Sequence, residues 1–267
     1  MTSTAKDAAE IIKSRNSLGF IEAAVILGRN FYSVADLADN AVSVPYADLP
    51  GFPRTDATPD GQLLICTIDG VPTLILKGRV NFHETGDPSQ MAGPIETLSL
   101  LGVRSILSTT SASSVNANLV PSSLVAITDH IDLKGLNPLI AAPGENNFIN
   151  MNDAYDRRLL RRLGVSAAAA GVSVREGVFI WFSGPSFETP AEVKMARLLG
   201  ADLLGVSVVP EAILARRFGV PFAGVAVVTD FGAGFSGGAP SGDFTRGPAV
   251  AGLMALKRLV RGYVKSR

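Results

Sequence analysis

The chain has 267 residues, with 24 Lys+Arg against 24 Asp+Glu, two histidines and one cysteine. Zero formal net charge and a pI near 6.7 exclude a broad basic surface for nucleic acid. The lone Cys66, with His83 and His130 far apart, excludes a disulfide framework, a four-cysteine zinc site and an HExxH helix.

Hydrophobic residues make up 47% and mean hydropathy is +0.29, which suits strands buried on both faces. No uncharged apolar run reaches the ~20 residues of a membrane span. The N-terminal stretch is charged through its first fifteen residues and has no apolar signal core. The expectation is a cytoplasmic protein without metal, membrane or nucleic-acid partner.

Taken in chain order, Ala5–Ser14 reads as a short polar helix ended by Asn16-Ser17-Leu18-Gly19. Ala23–Leu27 reads as a buried strand running into Gly28-Arg29-Asn30. Gln62–Ile68 and Val71–Lys77 form a hairpin at Asp69-Gly70, a pair that readily takes the φ > 0 turn. Pro88–Leu101 has helical spacing, with Gly102 just past its end. Strands follow at Ser105–Ser108 and Leu124–Thr128. Asp153–Leu163 is then a helix with Arg157, Arg158, Arg161 and Arg162 on its solvated side. The alternation continues with a strand at Gly177–Phe182, a helix at Pro190–Leu199, a strand at Leu203–Ser207 and a helix at Pro210–Phe218. Phe222–Val228 is another strand, and Pro248–Val264 an amphipathic helix.

This βα alternation, without repeats or a linker, predicts an α/β fold: a single domain spanning 1–267 with a central mixed β-sheet flanked by helices. Ser108–Ser114, rich in small hydroxyl residues, and Asp230–Thr245, with five glycines, read as loops directly after strands. Ligands of α/β sheets bind beyond the carboxyl ends of strands, so both are candidate site segments. Ordinary surface loops are the alternative for either one alone.

From Glu176 the chain becomes distinctive. Gly184-Pro185-Ser186-Phe187-Glu188-Thr189-Pro190-Ala191-Glu192, with Gly205-Val206-Ser207-Val208-Val209-Pro210-Glu211 downstream, closely resembles the trimeric, low-molecular-mass purine nucleoside phosphorylases. Gly51-Phe52-Pro53-Arg54, Lys77-Gly78-Arg79, Asp129-His130-Ile131-Asp132-Leu133 and Asp153-Ala154-Tyr155-Asp156-Arg157 occur in the family's order with similar spacing. The resemblance covers about Ala23 to Asp230. It implies reversible cleavage of a purine nucleoside by phosphate, giving free base and ribose 1-phosphate, in a homotrimer. Such a reaction needs an anion held beneath the anomeric carbon and stabilisation of charge on the departing purine. It needs no cofactor, phosphate being the co-substrate.

Carried over residue by residue, the resemblance implies that Glu188 accepts the N1–H of a 6-oxopurine, as an ionised carboxylate can only accept. It puts Phe187 on the purine face, with Thr229 and Asp230 also at the base. Arg79 and Ser207 match phosphate residues, and an arginine fork suits phosphate oxygens. Val206 falls beside the sugar, and Phe148 lies where the family lends a phenylalanine to the neighbouring subunit's sugar pocket.

Several positions depart from the pattern. The phosphate loop after the first strand has Arg29 for the usual serine and has lost two glycines. The histidine after the Phe-Pro-Arg segment has no counterpart at Thr58-Pro59-Asp60-Gly61. Asn81 stands for a histidine and His83 for a sugar-contacting tyrosine. Thr110-Ser111-Ala112-Ser113-Ser114 replaces an Asn-Ala-Ala-Gly-Gly loop, and no histidine follows His130. Arg29, Asn81, Thr110 and Ser111 are the substitute phosphate candidates. Asp230 replaces a purine-binding asparagine and can donate to N7 only when protonated, as in the related methylthioadenosine phosphorylases. Glu188 thus points to a 6-oxopurine and Asp230 to a 6-aminopurine. Glu188 and Asp230 are the candidate catalytic pair. A non-catalytic purine-binding relative and a phosphate-independent nucleosidase are the rival readings. His130, Cys66 and Trp181 read as structural.

Overall fold

The structure, a computed structural model, describes residues 1–15, 18–54, 61–140, 142, 148–235 and 247–266. Among these, nine strands form one mixed sheet: β1 (Ala23–Leu27), β2 (Asp39–Pro45), β3 (Gln62–Ile68), β4 (Val71–Lys77), β5 (Ile106–Ser114), β6 (Leu124–Asp132), β7 (Val174–Trp181), β8 (Leu203–Gly205) and β9 (Phe222–Phe231). Their order is β2-β3-β4-β1-β5-β8-β7-β6-β9, and β5 also pairs with β9. The second pairing closes β5, β8, β7, β6 and β9 into a barrel-like ring, while β2 remains an open edge. The helices are α1 (Ser3–Arg15), α2 (Phe82–Thr85), α3 (Ala92–Leu100), α4 (Arg157–Ala169), α5 (Pro190–Leu198), α6 (Val209–Phe218) and α7 (Gly247–Lys265).

Strand alternation explains how the layers assemble. β1 is buried at every position because helices cover both of its faces. Ala24 and Ile26 join a core with Ile12 of α1, Leu98 of α3 and Ile213 of α6. Ala23, Val25 and Leu27 join another with Leu163 of α4 and Leu259 of α7. A third cluster packs Val193 and Ala196 of α5 against Ile180 and Leu204. The α/β architecture expected from the sequence is the one observed.

β1, β3 and β4 match their predicted limits at both ends. Asp69 (φ 48°) and Gly70 (φ 78°) make the expected turn between β3 and β4. The Ser108–Ser114 segment differs: it is not a loop but the C-terminal part of β5, paired in parallel with β9. Its small side chains are buried except for half-buried Ser111, and the buried hydroxyls find backbone or side-chain partners, Thr109 Oγ1 on the Ile26 carbonyl at 3.1 Å and Ser114 Oγ on the Asn116 carbonyl at 2.8 Å among them. Low hydrophobicity therefore disguised an interior strand.

β2 and a 3-10 segment at Arg29–Leu37 were not predicted. β2 is an edge strand with a single buried residue, so no apolar alternation marks it. The α4 helix begins at Arg157, with Asp156 as its N-cap accepting from the Arg158 N–H at 2.8 Å. Arg162 is not on the solvated face; its guanidinium packs 4.3 Å from the Tyr263 ring centroid and donates to the Tyr263 carbonyl. Of the predicted glycine-rich loop, residues 236–245 lie outside the described residues, as do Thr58–Asp60 and Asn16-Ser17.

Candidate active site

The ends of β1, β4 and β8 and the C-terminal halves of β5 and β9 wall a cavity of about 400 Å³. Arg79, two residues beyond β4, is 5% exposed at one end of it. Its Nε donates to Glu211 Oε1, its Nη1 to the Thr109 carbonyl at 2.7 Å and its Nη2 to Ser108 Oγ. A guanidinium this deep requires such partners, because an unpaired buried charge costs several kcal/mol.

Beside it the hydroxyls of Thr110 and Ser207 lie 2.6 Å apart. Ser207 arrives there through a tight turn in which the Val209 N–H donates to the Ser207 carbonyl at 2.9 Å. The intervening Val208 has φ 73° and ψ −44°, a conformation that costs a β-branched residue roughly 1–3 kcal/mol. Gly205 precedes this turn because a Cβ there would stand 2.5 Å from the Phe179 ring.

Arg29 opens the 3-10 segment after β1 and is exposed, with its Nη2 3.8 Å from Glu84 Oε2. Glu84 Oε1 accepts from the backbone N–H of Asn81 at 3.0 Å and from its side-chain amide at 2.9 Å. Both arginines lining the cavity thus have a carboxylate partner. His83, on α2, borders Val206: both sit 3.3 Å from the position a Cβ on Gly184 would take.

Phe187, Glu188, Thr229 and Asp230 line the cavity as well. Glu188 stands just before α5, whose N-terminus is satisfied by Thr189 and Glu192: the Thr189 N–H donates to Glu192 Oε2 at 2.8 Å and the Glu192 N–H to Thr189 Oγ1 at 3.3 Å. The cap therefore does not use the Glu188 carboxylate. Burial pushes that carboxyl above the usual glutamate range, Glu192 and Asp230 push it further, and its own backbone N–H and Lys134 oppose the shift. Asp230 Oδ1 accepts from Ser113 Oγ, and Thr229 Oγ1 donates to the Ala112 carbonyl at 3.3 Å. One cavity thus pairs a cationic, hydroxyl-rich wall with an aromatic and two carboxylates.

A model of the phosphorylase superfamily matches residues 22–265. The chain belongs to that superfamily. Among its members, purine nucleoside phosphorylase 1 of Geobacillus stearothermophilus is 35% identical over 215 residues, 79% of this chain and 78% of the relative. Purine nucleoside phosphorylase of Mycobacterium tuberculosis is 37% identical over 235 residues, 87% of this chain and 85% of the relative. A solved Schistosoma purine nucleoside phosphorylase in complex with hypoxanthine superposes with a TM-score of 0.88 at 27% identity, covering 98% of this chain and 96% of that one. A purine nucleoside phosphorylase in complex with ribose 1-phosphate superposes with a TM-score of 0.84 at 27% identity, covering 96% and 95%. These matches agree with the resemblance carried by the GPSFET and GVSVVPE blocks.

Within this superfamily member, Arg29, Arg79, Asn81, His83, Thr110, Ser111, Phe187, Glu188, Val206, Ser207, Thr229 and Asp230 all line the one cavity. Phe148 does not; it is 98% exposed. His130 also lies elsewhere, with its Nδ1 3.2 Å from the Tyr155 hydroxyl and its pKa lowered by burial. Among the described residues no group of three or more His, Cys, Asp or Glu is placed to hold a metal, and no helix is long and apolar enough to cross a membrane.

The sequence reading gave no role to Glu84 or Glu211, and reached Ser108 and Ser113 only as members of the candidate segment Ser108–Ser114. Glu211 carried a legible signal. It is an acid inside the apolar helix VPEAILARRF, and a charge embedded in such a run demands a buried partner. Glu84 had no such signal, and Ser108 and Ser113 were marked only by their segment's place after a strand.

Proposed function

We propose that this chain is a pentosyltransferase of the purine nucleoside phosphorylase type. It cleaves the N-glycosidic bond of a purine nucleoside with inorganic phosphate, releasing the free base and ribose 1-phosphate. The observation that carries this reading is the single cavity with Arg79 and the Thr110–Ser207 hydroxyl pair along one wall and Phe187, Glu188 and Asp230 along another. Solved relatives that hold hypoxanthine, inosine and ribose 1-phosphate support it.

In this reading phosphate is held by Arg79, Ser207, Thr110, Ser111, Asn81 and Arg29, beneath the anomeric carbon. Phe187 packs on the purine, Thr229 borders it, and Glu188 accepts the N1–H of a 6-oxopurine. Asp230, in its protonated form, donates its proton to N7 of the base, where negative charge grows as the bond breaks. His83 and Val206 contact the sugar. As C1′ becomes oxocarbenium-like, phosphate attacks it from the opposite face and the bond electrons leave with the purine. No metal or organic cofactor enters. Phe148, exposed on the monomer, reaches the sugar pocket of a neighbouring protomer in a homotrimer, and the protein works in the cytoplasm.

The test is incubation with inosine, guanosine, adenosine and methylthioadenosine, with and without phosphate. Base release that requires phosphate and yields an equal amount of ribose 1-phosphate is expected. Release without phosphate would make the protein a nucleosidase, and binding without release would make it a non-catalytic relative.

A further inference from the structure

Arg79 is held by the scaffold in a way that reserves part of its guanidinium. Its Nε meets Glu211 Oε1, one N–H of Nη1 goes to the Thr109 carbonyl, and one N–H of Nη2 goes to Ser108 Oγ. Each terminal nitrogen of an arginine carries two N–H groups and Nε only one. Glu211 therefore takes its bond from the nitrogen that has none to spare, and each terminal nitrogen keeps one N–H for a ligand oxygen.

The acid is itself firmly placed. Glu211 is 2% exposed and lies in the first turn of α6. Four residues before it, Ser207 enters the cavity through the strained turn at Val208. The same short segment thus carries a hydroxyl into the cavity and a carboxylate behind the arginine. That carboxylate also sets the charge of this wall, since it offsets the guanidinium at close range.

We propose that Glu211 is a positioning residue for phosphate: it aims the two remaining terminal N–H groups of Arg79 into the cavity and moderates the positive charge that phosphate meets. This rests on the reading that the cavity takes phosphate. Ser108 does the smaller part of the same task from β5. The arrangement favours geometric selection of a tetrahedral anion over strong capture, which suits a site that must also release a sugar phosphate.

Two changes separate the roles of geometry and charge. Glu211→Gln keeps an oxygen acceptor for Nε–H and removes the negative charge, so phosphate should bind about threefold tighter or more. Glu211→Ala removes the acceptor too, so the KM for phosphate should rise about tenfold while the nucleoside KM stays within about twofold. Ser108→Ala leaves no buried charge unpaired and should raise the phosphate KM by about threefold; if Glu211→Ala does not fold, this variant and Glu211→Gln carry the test. Phosphate affinity is read by titration calorimetry on the folded protein, and both KM values by base release.

Equal changes in both KM values, or unchanged phosphate affinity in Glu211→Gln and Ser108→Ala, would overturn the assignment and leave Glu211 a structural partner only. A wild-type protein that binds no phosphate would overturn both this proposal and the function it rests on. A wild-type protein that binds phosphate but releases no base would overturn the function alone, and the calorimetry would still decide the role of Glu211.

Discussion

The two walls of the cavity are built on different principles. Around Arg79 the groups are anchored before any ligand arrives: the guanidinium is clamped by Glu211, Thr109 and Ser108, which leaves one N–H on each terminal nitrogen, and the Thr110 and Ser207 hydroxyls are paired. Around Glu188 the site is open. Phe187 is 56% exposed, and the Glu188 carboxyl is pushed up, mainly by burial and in smaller part by Glu192 and Asp230. One wall is organised by its scaffold, whereas the other presents an exposed aromatic and two carboxylates to the cavity. In the proposed reaction, a clamped arginine where the anion is aimed and an exposed aromatic with two carboxylates where the base is chosen divide positioning from specificity.

The contrast is broken most severely at Arg79. Arg79→Ala should lower phosphate-dependent kcat/KM by about 10²–10³-fold, as loss of one organised donor to a developing charge does elsewhere. It should also destabilise the fold by about 3–5 kcal/mol, because Glu211 stays behind as a buried charge without its partner. Steady-state assays and thermal melting report the two effects. Unchanged phosphate-dependent turnover would remove Arg79 from the phosphate site.

Glu188 probes the opposite wall. Glu188→Gln replaces a charged acceptor by a neutral amide and should cost about 10–100-fold in kcat/KM for inosine, the range of hydrogen bonds to charged groups. The pH profile adds a sign. Only the ionised carboxylate accepts N1–H, and burial holds its pKa above the usual glutamate value, so the protonated form persists to higher pH than usual. Wild-type kcat/KM for inosine should therefore fall on the acid side at a pH above the ordinary glutamate range. The Gln variant should lack that limb, and a limb that survives in it would assign the titration to another group.

What could be read from the sequence follows the same division. β1, β3, β4 and β9 announce themselves through buried β-branched and aliphatic runs, and the site residues through the spacing of the GPSFET and GVSVVPE blocks. The clamp behind Arg79 did not show as a unit, because Ser108 and Glu211 are 103 positions apart in the chain and come together only by each bonding Arg79. Ser108–Ser114 misled for a related reason. A strand that buries hydroxyls instead of methyls has the composition of a loop, and only its neighbours β1 and β9 reveal that its polar groups are paired. Phe148 illustrates the converse: its family position is recognisable, yet on the single chain it is 98% exposed.

Asp230→Asn should act more gently than either loss. An amide can both donate to and accept from the base, so the ratio of kcat/KM for inosine over adenosine should rise about tenfold, equivalent to one hydrogen bond of about 1.4 kcal/mol. An unchanged ratio would remove Asp230 from base selection.

Ser113 is the finest test of this wall, since its hydroxyl is committed to Asp230. Its hydroxyl donates to Asp230 Oδ1 from the neighbouring strand β5, fixing the carboxylate's orientation. Ser113→Ala removes that brace while leaving the Arg79 clamp and the Thr110–Ser207 pair in place. The phosphate KM should hold, and kcat/KM for purine nucleosides should fall by about two- to fivefold, the loss expected from one partly solvated hydrogen bond. A matching rise in the phosphate KM would mean that the two walls are mechanically coupled through β5, and the division between positioning and specificity would then be a single device.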